Sequence, residues 1–159
     1  MLKPFLISML LVPLLFAGTA FADSFTYTND RFGTSASLPA DFYSLQGSEN
    51  GDGRLYQSDF YHGEIRIYGS YNHAGDRFSD YRAFETDIYS QDSTITYEAG
   101  GKGWFVLSGW KGEDVYYLRV EGCDTGPMHH MYFQYPGYEK SRWEPIVNAY
   151  AKTLNGPCE

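Results

Sequence analysis

Two cysteines in 159 residues are too few for a disulfide-built scaffold or a clustered thiolate metal site. They stand at Cys123 and Cys158, so no C-x-x-C redox motif exists either. Basic residues are outnumbered, 12 Lys and Arg against 20 Asp and Glu, giving a formal charge of −8. That balance excludes nucleic acid as an expected partner and disfavours docking on anionic lipid. H-x-H, H-E-x-x-H, G-x-S-x-G and G-x-x-x-x-G-K-[ST] are all missing. Internal repeats and low-complexity linkers are absent as well, and only one long apolar run occurs.

That run lies at the start, in MLKPFLISMLLVPLLFAGTAFA. Lys3 precedes apolar residues from Phe5 to Phe16, and Ala20 and Ala22 flank Phe21 as an A-x-A cleavage pattern. Pro4 and Pro13 interrupt a stretch already short of the roughly 20 apolar residues of a membrane span. Residues 1–22 are therefore expected to be a signal peptide cleaved after Ala22. Residues 23–159 then form one globular domain in the periplasm, with no membrane span left. Loss of Lys3, the leader's only charge, takes the formal charge from −8 to −9. In an oxidising compartment Cys123 and Cys158 are expected to pair and clamp the chain end.

The remainder is rich in tyrosine, with 15 Tyr, 11 Phe and 3 Trp in the whole sequence, and its glycines fall in turns. FTYTNDRFGTSASL reads as two strands around Asn29-Asp30-Arg31, ended by Pro39. Leu55 and Glu64–Tyr68 alternate with period two, predicting two strands joined near Tyr61-His62-Gly63. Phe78, Tyr81, Phe84 and Ile88 lie at helical spacing, with Asp76 or Ser79-Asp80 as caps. Ile95–Tyr97, Trp104–Ser108, Val115–Val120 and Met128–Tyr135 follow as four strands joined by tight turns. A second helix is expected from Trp143 or Glu144, because Pro145 suits a first turn, and Gly156-Pro157 stops it. The order predicts an α+β fold: a central, mostly antiparallel sheet of six to eight strands covered by two helices.

This order resembles that of the PsbP-like extrinsic lumenal proteins of photosystem II and their bacterial relatives. The tokens Tyr27–Gly33, Glu49–Gly53, Trp104–Gly109 and Pro145-Ile146-Val147 also resemble a group of short exported alphaproteobacterial proteins, largely of unknown function. The resemblance covers residues 25–155. It implies an α/β/α sandwich and an adaptor or assembly-associated role, and it brings no catalytic set.

The residues leave several chemistries open. SENGDGRLYQSD offers Glu49, Asn50, Asp52 and Asp59 as a degenerate calcium loop, but Ser48 stands where such loops place Asp. Asn-Gly and Asp-Gly are also strong turn signals, and a plain bend is the simpler reading. His129 and His130 are adjacent in a predicted strand, so they point to opposite faces and cannot readily share one ion. With Ser108 they are the candidates for a hydrolase. No metal or other cofactor is expected. Tyr116, Tyr117, Tyr132, Tyr135 and Trp110 are the candidates for an exposed aromatic binding face, since tyrosine suits contact surfaces. The expected function is a non-enzymatic accessory module that contacts another envelope protein, with glycan or cell wall as another ligand. The alternatives are an envelope hydrolase, a small-ligand carrier, or a subunit of a large envelope complex. If residues 48–59 form only a bend, calcium leaves the melting temperature where EDTA leaves it. A rise of several degrees, abolished by Asp52→Ala, would establish the calcium loop instead.

Overall fold

Branched and aromatic strand residues between glycine-centred turns set the rhythm of the chain, and the computed structural model, which describes residues 23–158, follows it. The elements run β1 (Ser24–Thr28), β2 (Ser35–Pro39), β3 (Phe42–Gly47), β4 (Gly53–Ser58), β5 (Glu64–Tyr71) and α1 (Phe78–Asp92). They continue with β6 (Thr94–Gly101), β7 (Trp104–Lys111), β8 (Asp114–Gly122), β9 (Pro127–Pro136) and α2 (Lys140–Tyr150). Strands β3 to β9 form one seven-stranded sheet in the order β3-β4-β5-β9-β8-β7-β6, while β1 and β2 form a separate ribbon. Every neighbouring pair is antiparallel. The expected α+β architecture is present, and none of the helices among the described residues is long and apolar enough to cross a membrane.

Three local details differ from the sequence reading. Strand β3 arises from FYSLQG, where Tyr43, Ser44 and Leu45 are all exposed and the register slips between Ser44 and Gly47. An edge strand with an irregularity carries no clean alternation, so the pattern does not announce it. Helix α2 begins at Lys140, a turn earlier than Pro145 suggests, after a 3-10 turn at Gly137–Glu139. Pro145 removes one hydrogen bond to the Ser141 carbonyl, but both residues are exposed and water can satisfy that oxygen. The cap of α1 is neither Asp76 nor Ser79-Asp80. The Phe78 N–H donates to Asp124 Oδ1 at 2.9 Å, a carboxylate delivered by the turn before β9. The Asp80 carboxylate pairs with Arg77 instead.

The inward face of α1 also differs. Phe84 and Ile88 remain 43% and 40% exposed, whereas Phe78 and Tyr81 are buried and Glu85 and Tyr89 half-buried. Positions 78, 81, 85 and 89 form the true helical stripe, with a carboxylate where an apolar side chain belongs.

The two covering layers are offset. On one face of the sheet, α1 lays Phe78 and Tyr81 on Phe105, Leu107, Leu118 and Val120 of β7 and β8. On the other, α2 and the β1–β2 ribbon bury Ile65, Ile67, Met131 and Phe133 of β5 and β9. Trp143 is the centre of that layer, fully buried, stacked on Tyr135 and edge-on to Phe42 and Tyr61.

The chain end is fixed in three ways. Ser35 and Asn155 bridge the ribbon to the tail, His129 Nε2 donates to the Pro157 carbonyl at 2.9 Å, and Cys123 is joined to Cys158. Gly156 makes this close passage possible, since a Cβ there would lie 2.2 Å from the His129 ring. The disulfide closes a loop with a sequence separation of 35. Loop closure of that size stabilises by about 3–4 kcal/mol through the unfolded state. The Cys123→Ala/Cys158→Ala variant is expected to lose about that much in urea unfolding. Unchanged stability would show that the bridge constrains nothing.

Candidate functional site

The loop at residues 48–53 is the hairpin turn from β3 into β4. Gly51 takes a φ of 75°, its N–H donates to Ser48 O at 3.0 Å, and the Gly53 N–H donates to Ser48 Oγ at 3.0 Å. The turn is then latched to the β1–β2 bend. Asn29 Nδ2 donates to Gly51 O at 2.7 Å, and Arg31 contacts Asn50 O and pairs with Asp52 Oδ1 at 2.6 Å. Asn29 Oδ1 meanwhile accepts from the N–H groups of Arg31 and Phe32, shaping its own bend. Asp59 stands at the far end of β4 and accepts from the Tyr43 phenol at 3.1 Å. Glu49, Asn50 and Asp52 are exposed or half-exposed at one end of that strand, so the four candidate calcium ligands are not brought together. Among the described residues, no group of three or more His, Cys, Asp or Glu is placed to hold a metal ion.

His129 and His130 do point to opposite faces, but both are buried, because β9 is covered on each side. His129 lies on the ribbon side, with Thr34 Oγ1 2.7 Å from Nδ1 and Pro157 O 2.9 Å from Nε2. This geometry fixes the tautomer: Nε2–H donates to the carbonyl and Nδ1 accepts from the hydroxyl. His130 lies beneath α1, with Tyr68 stacked flat at 4.3 Å and Tyr81 Oη 2.9 Å from Nε2. Ser108 donates its hydroxyl to Tyr116 O at 2.7 Å. It aligns through Tyr117 with Phe133, two strands across from β9 and several residues along it from His129. The serine and the histidines therefore do not form a nucleophile–base pair.

The aromatic candidates divide. Tyr116 and Tyr135 are core residues, 0% and 3% exposed, packed beneath Tyr89 and against Trp143. Their expected exposure is corrected, because the offset helices cover the sheet over their positions. Tyr132 is 7% exposed and donates to Gln134 Oε1 at 2.8 Å. Trp110 and Tyr117 do reach the surface. Strand register puts Trp104, Ser108 and Trp110 of β7 on the same face as Tyr117 and Arg119 of β8, and Tyr97 of β6 joins them opposite Ser108. α2 does not extend over this part of the sheet. Tyr97 is 55% and Trp110 39% exposed, and Arg119 lies 5.0 Å from the Trp104 ring centroid while pairing with Glu121.

Sequence reasoning missed a second uncovered region, on α1's side of the sheet. A cleft of about 740 Å³ opens there between α1 and strands β4, β5 and β9. Arg66, Tyr68, Glu85, Ile88, Tyr89 and Tyr132 are among its walls. Burial raises the Glu85 carboxyl above its ordinary range, offset in part by a hydrogen bond with Tyr81. Burial likewise raises Tyr68 and Tyr89, and pushes Tyr132 up to about 12, so these phenols are neutral donors at physiological pH. The tyrosines at 81 and 89 flanking Glu85 at four-residue spacing were the available signal.

Burial pushes His130 down to about 3 and also lowers His129. Both histidines are therefore neutral in the fold and must gain protons on unfolding below their free value of about 6.5. Stability is complete above that pH and falls as pH drops. Each contributes at most about 1.4 kcal/mol per pH unit until its folded value is reached. The depressed carboxyls of Asp80 and Glu139 enter only at lower pH, while the raised Glu85 carboxyl takes up its proton in the fold and offsets part of the two histidines' loss. Between pH 6.5 and 5 the melting temperature should thus decline, and His130→Gln should reduce that slope. A flat wild-type profile over the interval would refute the assignment.

No protein-family model matches the chain, and no curated protein matches it. Solved structures do share its fold. Cyanobacterial PsbP (CyanoP) from Synechocystis sp. PCC 6803 superimposes with a TM-score of 0.63 at 12% identity, over 88% of this chain and 96% of that one. The Saccharomyces cerevisiae Ran-binding protein Mog1p gives 0.59 at 8% identity, over 85% of this chain and 96% of that one. A crystal structure from Bacteroides thetaiotaomicron VPI-5482 gives 0.52 at 14% identity, over 87% of this chain but 50% of that one. At these identities the likeness is one of architecture, and the architecture is the PsbP-like α+β fold.

Proposed function

We propose that this chain is an exported, non-enzymatic accessory module that acts in the periplasm by contacting another envelope protein. The observation that carries the reading is the bare half-sheet bearing Tyr97, Trp104, Trp110, Tyr117 and Arg119. Trp, Tyr and Arg are the side chains that dominate protein interfaces, and here they stand together on rigid strands. The net charge of −8 supports a protein surface over nucleic acid or anionic lipid. Two proteins of the same architecture, one a cyanobacterial PsbP and one a Ran-binding protein, are consistent with a scaffold used for binding. The Cys123–Cys158 bridge fits an oxidising compartment, and the leader pattern of residues 1–22 supplies the route to it.

The test uses the tagged full-length chain, crosslinked in intact cells and captured under denaturing conditions. The captured chain should begin at Asp23, and one or a few envelope proteins should accompany it. Tyr97→Ala and Trp110→Ala together should cut their recovery at least about tenfold, in keeping with loss of interface anchors. The same partners at the same yield from the double variant would contradict the assigned face. Recovery of glycan fragments instead of protein would contradict the partner class.

A further inference from the structure

We infer that the cleft on α1's side of the sheet binds an organic ammonium group, held by the Glu85 carboxylate among the rings of Tyr68, Tyr89 and Tyr132. This surface lies on the opposite face of the sheet from the aromatic half-sheet and does not depend on it. Four observations converge. The cleft, at about 740 Å³, has the size of a small-ligand or side-chain pocket. Three tyrosine rings are among its walls: Tyr132 is buried, Tyr68 and Tyr89 are half-buried, and Tyr89 and Tyr132 stand 6.4 Å apart between centroids. Ring faces carry negative potential and attract cations.

Third, Glu85 occupies the inward stripe of α1, where burial penalises its charge, and among the described residues the Tyr81 phenol is the group that eases it. No basic side chain among the described residues is paired with it. A half-buried carboxylate lacking a cation contrasts with Asp52, Glu64, Asp80, Glu121 and Glu139, each of which has a basic partner. Fourth, the cation and the acid of β5 and the 48–53 turn that border the cleft are already matched. Arg66 is paired with Glu64 and stands 5.7 Å from the Tyr132 ring centroid, and Asp52 is paired with Arg31. Arg54, Lys111 and Asp92 also line the cleft, without ion pairs among the described residues. Glu85 is the acid whose charge acts on both Tyr68 and Tyr89, and an ammonium group is the ligand chemistry that satisfies a carboxylate and tyrosine rings together.

The ammonium has two sources, a free amine or the lysine side chain of a partner segment. Isotope-labelled mature protein is titrated with n-butylammonium chloride and, separately, with N-acetyl-lysine N-methylamide. Sodium chloride at equal ionic strength serves as the blank. Saturable shifts in the signals of Tyr68, Glu85 and Tyr89 are expected from at least one probe. Tighter binding of the lysyl amide assigns the group to a partner's lysine, and tighter binding of butylammonium assigns it to a free amine. Glu85→Gln, close in shape, should weaken either by at least about tenfold. Ile88→Trp, an exposed substitution at the cleft wall, should block binding with an unchanged melting temperature, and so tests the site even if the Glu85 variant unfolds. Shifts no larger than the salt blank, or equal affinity in folded Glu85→Gln, would overturn the inference.

Discussion

Strand β9 is the constraint on which the rest of this structure depends. It lies at the centre of the seven-stranded sheet, and nearly every residue from Pro127 to Tyr135 is buried whichever face it points to. A strand of that kind demands a layer on both sides. The chain supplies α1 on one face and α2 with the β1–β2 ribbon on the other, but neither layer is wide enough for seven strands. Because the layers are offset, each face keeps one bare region: the aromatic half-sheet of β6 to β8, and the cleft over β4 and β5.

Double burial also explains the histidine pair. Adjacent residues in a strand point opposite ways, and on a half-exposed sheet one of the two would meet water. Here each meets a dedicated partner set. His129 holds the C-terminal tail through Pro157, with Thr34 behind it, and His130 is clasped by Tyr68 and Tyr81. Both work as neutral hydrogen-bonding core groups, and His129 acts with the disulfide on the same tail segment. The latch between the β1–β2 bend and the 48–53 turn follows a similar logic. Asn29 and Arg31 take up the carbonyls and the carboxylate that would otherwise face solvent or a cation.

Much of the fold was legible. Glycine-bearing turns and period-two strands located the β6–β9 meander, and the 3.6-residue pattern located α1. What failed has physical reasons. Strand β3 is an irregular edge whose exposed face shows no alternation. The start of α2 was misplaced because the carbonyl that Pro145 leaves unbonded belongs to exposed Ser141, where water can satisfy it. Exposure of Tyr116, Tyr117, Tyr132, Tyr135 and Trp110 depends on how far each helix extends across the sheet, a tertiary quantity absent from local pattern. Trp110 and Tyr117 reached the surface, while Tyr116 and Tyr135 joined the core. Glu85 escaped notice because an acid in a helix reads as solvent-facing, and Phe84 beside it offered a more apolar stripe.

The central claim is that the bare aromatic half-sheet is the surface that meets another envelope protein. Its most direct measurement is a photoreactive amino acid placed singly at Tyr97 and at Trp110, with Phe84 and Phe60 as exposed controls elsewhere. After illumination of intact cells, the account predicts a discrete adduct of one mass at Tyr97 and Trp110, and none at the controls. Adducts at Phe84 or Phe60 alone, or a uniform smear at all four positions, would contradict it.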